Sequence, residues 1–156
     1  MKFKILIIIL LLLGCSKSGD GTRPAPINID RTHACATCGM IVVDQTGPKA
    51  EILYDKDKMA AFCSLSDMFI FYLQPDRPIN IRAIYAQELS DDAKTPATWI
   101  DGESAYYVYG KEIIGHMGMT LIPFKDESKA KDYAAKNKGN ITRIDRVTLS
   151  MIGLNE

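Results

Sequence analysis

Lys49-Ala50-Glu51-Ile52-Leu53-Tyr54-Asp55-Lys56-Asp57-Lys58-Met59-Ala60-Ala61-Phe62-Cys63-Ser64 is the stretch on which the fold turns. Its first six residues alternate polar and apolar, the period of a half-buried strand. Asp55 to Lys58 make a polar turn, and Met59 to Cys63 return as a second strand. Ser64 can cap a helix, with Asp67 in the capping-box position. Leu65, Met68, Phe69, Tyr72 and Leu73 then recur at helical spacing, and Pro75 stops the helix. Ile79 to Leu89 reads as a third strand, with an irregularity at Ile84 and Tyr85.

A similar order follows downstream. Ser90 to Pro96 reads as a polar loop and Trp99-Ile100 as a short strand. Ser104 to Tyr109 is an aromatic strand. A turn around Gly115-His116-Met117-Gly118 precedes a strand over Met119 to Phe124. Asp126 caps a helix through Asn137, with Gly139 as its stop. Ile141 to Ile144 is a last strand, and Val147 to Ile152 a terminal helical turn. Upstream, Gly39 to Asp44 is rich in β-branched residues and is also expected as a strand, with a turn at Gly47-Pro48. Antiparallel hairpins followed by helices predict an α+β fold with helices packed on antiparallel sheets. It comprises two related strand-strand-helix-strand lobes, about 27–89 and 97–156.

The N-terminus reads as a targeting segment. Lys2 and Lys4 precede nine apolar residues, Ile5 to Leu13. That run is too short to span a bilayer, which takes about 20 residues, and it suits a signal peptide. Leu12-Leu13-Gly14-Cys15 resembles a lipobox. The expectation is a signal over 1–14, lipidation of Cys15, and a flexible Ser/Gly/Pro-rich tether over 15–26. Ser16 after the cysteine, by analogy with lipoprotein sorting, points to the outer membrane and a periplasm-facing domain. The chain has 19 Lys+Arg and 19 Asp+Glu. Loss of the two signal lysines leaves a near-neutral domain with no basic footprint for nucleic acid.

Of the four cysteines, Cys35, Cys38 and Cys63 remain after Cys15 is assigned to lipid. An odd count in an oxidising compartment points to a free or metal-bound thiol. Cys35-Ala36-Thr37-Cys38-Gly39-Met40 concentrates two thiols and a thioether, with His33 upstream. A c-type haem would need His at Gly39 and is excluded. A zinc site would need Cys63 and a histidine as well. A thioredoxin-like pair would need a helix where β-branched residues follow. A plain disulfide is another reading. Cu(I) accepts two or three soft donors, and the loop offers them. In an extended chain Cys38 and Met40 would share a face across Gly39. The distal turn adds Met117, with His116 beside it. Met119, Met59, Met68 and Met151 read as packing residues, and so does Cys63 among Ala60, Ala61 and Phe62.

The lipobox, Cys38-Gly39-Met40, Gly47-Pro48-Lys49-Ala50, Tyr106-Tyr107-Val108-Tyr109, Met117-Gly118 and Pro123-Phe124 occur in this order in the NosL family, which the chain resembles over the whole mature domain. The resemblance implies an envelope copper lipoprotein of two αβ lobes that catalyses no reaction. It implies delivery of Cu(I) to the copper–sulfide cluster of nitrous oxide reductase. The implied co-worker is a membrane assembly complex, an ABC transporter with its periplasmic partner. Carried over by position, the family's metal-site cysteine falls on Cys38 and its distal methionine on Met117. Ala36 stands where many relatives have His, and His116 where many have Pro. The third ligand is therefore open among Cys35, Met40, His116 and His33, in that order. A thiol–disulfide oxidoreductase on Cys35 and Cys38, or a docking module without metal, are the alternatives.

Overall fold

The computed structural model describes residues 23–89 and 98–154. The signal peptide, Cys15, most of the tether and the Ser90–Pro96 loop lie outside them. Strands β1 (Ala50–Tyr54), β2 (Lys58–Phe62), β3 (Ile81–Gln87) and β4 (Trp99–Asp101) form an antiparallel sheet in the order β2-β1-β3-β4, with helix α1 (Leu65–Tyr72) between β2 and β3. Strands β5 (Tyr106–Tyr109), β8 (Ile122–Phe124) and β9 (Asn140–Thr142) form a second antiparallel sheet in the order β8-β5-β9. A two-residue-strand hairpin, β6 (Ile114–Gly115) and β7 (Gly118–Met119), is inserted after β5, and helix α2 (Glu127–Lys136) after β8. In both sheets the first strand of the unit is central, flanked by the strand before the helix and the strand after it. The α+β class and the repeated strand-strand-helix-strand order are as expected.

One core joins the two units. Ala50 and Ile52 of β1, Phe62 of β2 and Phe69 of α1 pack with Tyr107 of β5, Leu121, Val147 and Ile152. Phe69 meets the Tyr107 ring edge-on, with centroids 5.1 Å apart, a geometry that favours aromatic pairs beyond their burial. The Tyr107 hydroxyl donates to the Gly102 carbonyl at 2.6 Å, which satisfies its one polar group. Val108, one residue on, faces the other way into a second cluster with Ile122, Phe124, Ala130 and Ala134. That reversal is the period-two rule of a strand buried on both faces.

Four expectations need correction. Gly39 to Asp44 is not a strand. Gly39 has φ +77°, the chain doubles back there, and only an isolated bridge, Ala34 to Ile41, forms before a short 3-10 turn at Val42–Asp44. The register shift of β3 against β1 falls between Leu53 and Tyr54, opposite Ala83 and Ile81, not at Ile84 and Tyr85. The strand over Met119 to Phe124 breaks into β7 and β8, because Leu121 enters the shared core while Ile122 and Phe124 enter the second cluster. Trp99 to Asp101 pairs with β3, so the residues just after 97 belong to the first sheet.

The stretch expected as tether up to Pro26 is fixed at its end. Arg23 reaches Asp101 at 2.6 Å, Glu103 at 2.8 Å and the Ile84 carbonyl at 3.1 Å. Its guanidinium stacks over Tyr85, whose hydroxyl donates to the Pro24 carbonyl at 2.7 Å. Planar Arg suits such a combined fork and stack.

Candidate metal centre

The loop from His33 to Val42 folds on itself before it meets anything else. The Cys35 amide donates to the Met40 carbonyl at 2.8 Å, the Gly39 amide to the Cys35 carbonyl at 2.9 Å, and the Val42 amide to the His33 carbonyl at 3.0 Å. Gly39 supplies the left-handed residue this closure requires. The loop then docks along the free edge of β2. Cys35 bridges Ala61 in parallel, and the Ala36 amide donates to the Ala61 carbonyl at 2.9 Å. Thr37 adds a bond from its hydroxyl to the Asp67 carbonyl at 2.8 Å. An edge that would otherwise expose unpaired backbone is thus covered, and the covering loop carries two thiols to the end of β2.

There the third thiol waits. Cys63 directly follows β2, and Ser64 caps α1 by accepting from the Asp67 amide at 3.1 Å. Helical geometry brings Asp67, four residues after Cys63, back over it. The Cys63 thiol donates to Asp67 Oδ2 at 2.9 Å, the Ser64 hydroxyl to the same oxygen at 3.1 Å, and the Cys35 thiol at 3.6 Å. Cys38 Sγ lies 3.4 Å from Cys63 Sγ. Ligand atoms of Cys35, Cys38, Cys63 and Asp67 all lie within 4.8 Å of one another. The three thiols are free, and the 3.4 Å contact is well beyond a disulfide bond of about 2.05 Å. Cys63 is fully buried and Cys35 nearly so, whereas Cys38 is partly open to solvent.

Burial raises the Cys63 thiol far above its ordinary range, and the adjacent Asp67 carboxylate, which accepts its proton, adds to the effect. Burial also raises Cys38, while the Met40 amide, donating to its sulfur, pulls the other way. Cys38 and Cys63 therefore hold their protons near neutral pH, and a metal must displace them to gain thiolate ligands.

The distal turn arrives from the second unit. Gly115 pairs with Gly118 across the β6–β7 hairpin, leaving His116 and Met117 as its tip, and Gly118 has φ +99°. His116 Nε2 lies 3.3 Å from Cys63 Sγ. The distal turn thus reaches Cys63, whose sulfur in turn touches Cys38 of the proximal loop. Met117, beside it, is 45% exposed. Met40 packs against the shared core, and the extended backbone that would align it with Cys38 is interrupted at Gly39. His33 turns to Asp30, with Nδ1 at 2.9 Å from its carboxylate. Met68 is core, and Met119 packs against the backbone at Gly153.

Cys63 is buried, as its apolar flank predicts, and it is also a thiol of the cluster. Asp67 belongs to the cluster as well as to the first turn of α1. The legible signal was their spacing: a thiol at the residue before an N-cap and a carboxylate four positions on share the first turn of a helix.

A family model described as NosL matches residues 26–152. The chain is 28% identical over 145 residues to the copper-binding lipoprotein NosL of Stutzerimonas stutzeri, covering 90% of this chain and 76% of that protein. It is 23% identical to the copper-binding lipoprotein NosL of Achromobacter cycloclastes, covering 97% and 82%. Among solved structures it resembles the crystal structure of the copper chaperone NosL from Shewanella denitrificans, with a TM-score of 0.72 at 28% identity over 83% of this chain and 98% of that one. With α+β architecture, a thiol cluster and a family match that spans both units, the chain belongs to the NosL family.

Proposed function

We propose that this protein is a Cu(I) carrier of the cell envelope that holds copper on its thiol cluster and hands it over for the maturation of nitrous oxide reductase. The carrying observation is the convergence of Cys35, Cys38 and Cys63 within 4.8 Å, together with Asp67. Thiolates select Cu(I) over hard cations. Cys38 is the ligand on the open side, where an acceptor's soft donor can attack, and Met117 is the distal thioether that the family pattern assigns. Relatives named as copper-binding lipoproteins and as a copper chaperone support this reading. Among the described residues no helix is long and apolar enough to cross a membrane. We assign attachment to lipid on Cys15, outer-membrane placement to Ser16, and the role of co-worker to the membrane assembly complex of the reductase. The protein carries its cargo and transforms nothing.

The test is a competition titration of the reduced, full-length protein against bathocuproine. Tight Cu(I) binding is expected, weakened at least tenfold in Cys38→Ser, in line with the loss on removing metal-site groups. Three thiols and a carboxylate also suit Zn2+, so the titration is repeated with Zn2+ as competitor. Micromolar binding indifferent to Cys38→Ser, or displacement of Cu(I) by equimolar Zn2+, would defeat the proposal.

A further inference from the structure

Metal ligation is one fate of thiols held this close, and oxidation is another. Cys38 Sγ and Cys63 Sγ touch at 3.4 Å, and a disulfide of about 2.05 Å requires them to close by roughly 1.4 Å. The Cys-x-x-Cys spacing would join Cys35 to Cys38, but the fold partners the thiols differently. The Cys35 thiol turns to Asp67 Oδ2 at 3.6 Å. The sulfur lying against Cys38 belongs to Cys63, 25 residues along the chain. We propose that Cys38 and Cys63 are a disulfide-forming pair in the metal-free protein, oxidised by exchange with an external disulfide. Its consequence for copper rests on the carrier reading.

The two thiols differ in access, and that sets the order of events. Cys38 is partly open to solvent, whereas Cys63 is fully buried. Exchange needs a sulfur that the external disulfide can reach, so Cys38 reacts first. Its sulfur bonds one sulfur of the external disulfide, and the other leaves as a thiol with the Cys38 proton. Cys63 Sγ then attacks Cys38 Sγ. Its proton passes through Asp67 Oδ2, to which the thiol already donates at 2.9 Å, and on to the second external sulfur, which leaves as a thiol. Two protein thiols become one disulfide, and one external disulfide becomes two thiols. The loop carrying Cys38 is held in place for this before any bond forms. Thr37 is tied to the Asp67 carbonyl at 2.8 Å and the Ala36 amide to the Ala61 carbonyl at 2.9 Å.

The bond takes two of the cluster's three thiols and leaves Cys35 as its one thiolate donor. Thiolate is the form in which cysteine binds metal, so the oxidised protein is a poor acceptor of copper. Disulfides persist in the cell envelope, which is oxidising. The reaction that must precede copper loading there is reduction of this disulfide by a dithiol.

The experiment exposes the reduced, metal-free full-length protein to oxidised glutathione without oxygen and maps the product by mass spectrometry. Trypsin cuts after Lys49 and Lys58, which puts Cys35 and Cys38 in one peptide and Cys63 in another. A cross-link between these peptides is expected, and it should form equally in Cys35→Ser. Cys63→Ser should stop with glutathione on Cys38. If that variant misfolds by circular dichroism, the wild type and Cys35→Ser decide. Cu(I) affinity of the oxidised protein should fall by about tenfold or more and return after dithiothreitol. A Cys35–Cys38 bond within one peptide, loss of the cross-link in Cys35→Ser, a lasting glutathione adduct on Cys38 in the wild type, or no reaction would each overturn the proposal. Copper affinity unchanged by oxidation would overturn it too. The mapping involves no copper, so a reduced protein that binds none would remove the carrier reading and leave the disulfide standing.

Discussion

Replacing Glu51 with Gln should stabilise this protein at pH 8 and do almost nothing at pH 4.5. Glu51 is the second residue of β1 and is fully buried. One carboxylate oxygen accepts the Ile27 amide at 2.9 Å, and the other has no partner among the described residues. Burial pushes its pKa from the ordinary 4.5 up to about 7, against the pull of the Ile27 bond and of nearby His33. Below pH 4.5 the group is neutral in both the folded and the unfolded chain, and it has no effect on the balance. Between 4.5 and 7 the unfolded chain loses the proton while the folded one keeps it, so stability falls as pH rises. Above 7 the loss is complete and constant. At 1.36 kcal/mol per pH unit the full effect is about 3 kcal/mol. Gln has nearly the same shape, keeps an acceptor for Ile27 and carries no charge. The difference between Glu51→Gln and wild type should therefore grow from near zero to about 3 kcal/mol, or roughly 10 °C in melting temperature for a domain of this size. Calorimetry of both copper-free proteins from pH 4.5 to 8 measures it. Parallel curves would refute the reasoning and mean that water reaches the free oxygen and solvates the charge.

Two further outcomes rest on close packing and on buried thiols. A methyl group at Gly139 would lie 2.9 Å from Val108 Cγ1, 3.0 Å from Ile113 Cδ1 and 3.1 Å from the Tyr109 carbonyl. Gly139→Ala should cost about 1–3 kcal/mol, seen as a lower urea midpoint with an unchanged slope; an unshifted midpoint would mean that the second core yields freely. Cu(I) affinity should rise by about tenfold per pH unit for each thiol proton displaced, since burial holds the Cys38 and Cys63 protons on. Competition titrations at three pH values between 6.5 and 8.5 check this, and a flat profile would exclude thiolate ligation.

The strands and helices were legible where pattern and punctuation agreed. The strand after Lys49, the Ser64 cap and the stop before Pro75 each act through near neighbours and are found in the structure, although β1 is buried on both faces and not half-buried as its alternation predicts. The β-branched run after Gly39 misled for the same reason. Its strand propensity is local, while the loop closure through Cys35 and Met40 and the burial of Val42 are decided by contact with β2. Helix α2 shows a subtler case. Gly139 was expected to take the left-handed stop, but Lys138 takes it at φ 51°, because Gly139 is needed where Val108 and Ile113 leave no room for a side chain. At the site, Cys38 and the distal turn stood out by composition. Cys63 did not, because an apolar flank of Ala60, Ala61 and Phe62 hides a thiol whose company comes from the far-off residues Cys35 and His116.

The grip of Arg23 on Asp101 and Glu103 has a consequence for how the molecule stands on a surface. Seven residues separate Cys15 from Arg23, and eight fully extended steps of chain reach about 28 Å at most. Any lipid leash on Cys15 therefore ends at a fixed pivot beside β3 and β4. In the order β2-β1-β3-β4, β2 and its sulfur loop lie at the opposite margin, some 14 Å away at the usual strand spacing. Were the domain tethered through Cys15, its thiols would sit at the margin of the sheet away from the attachment.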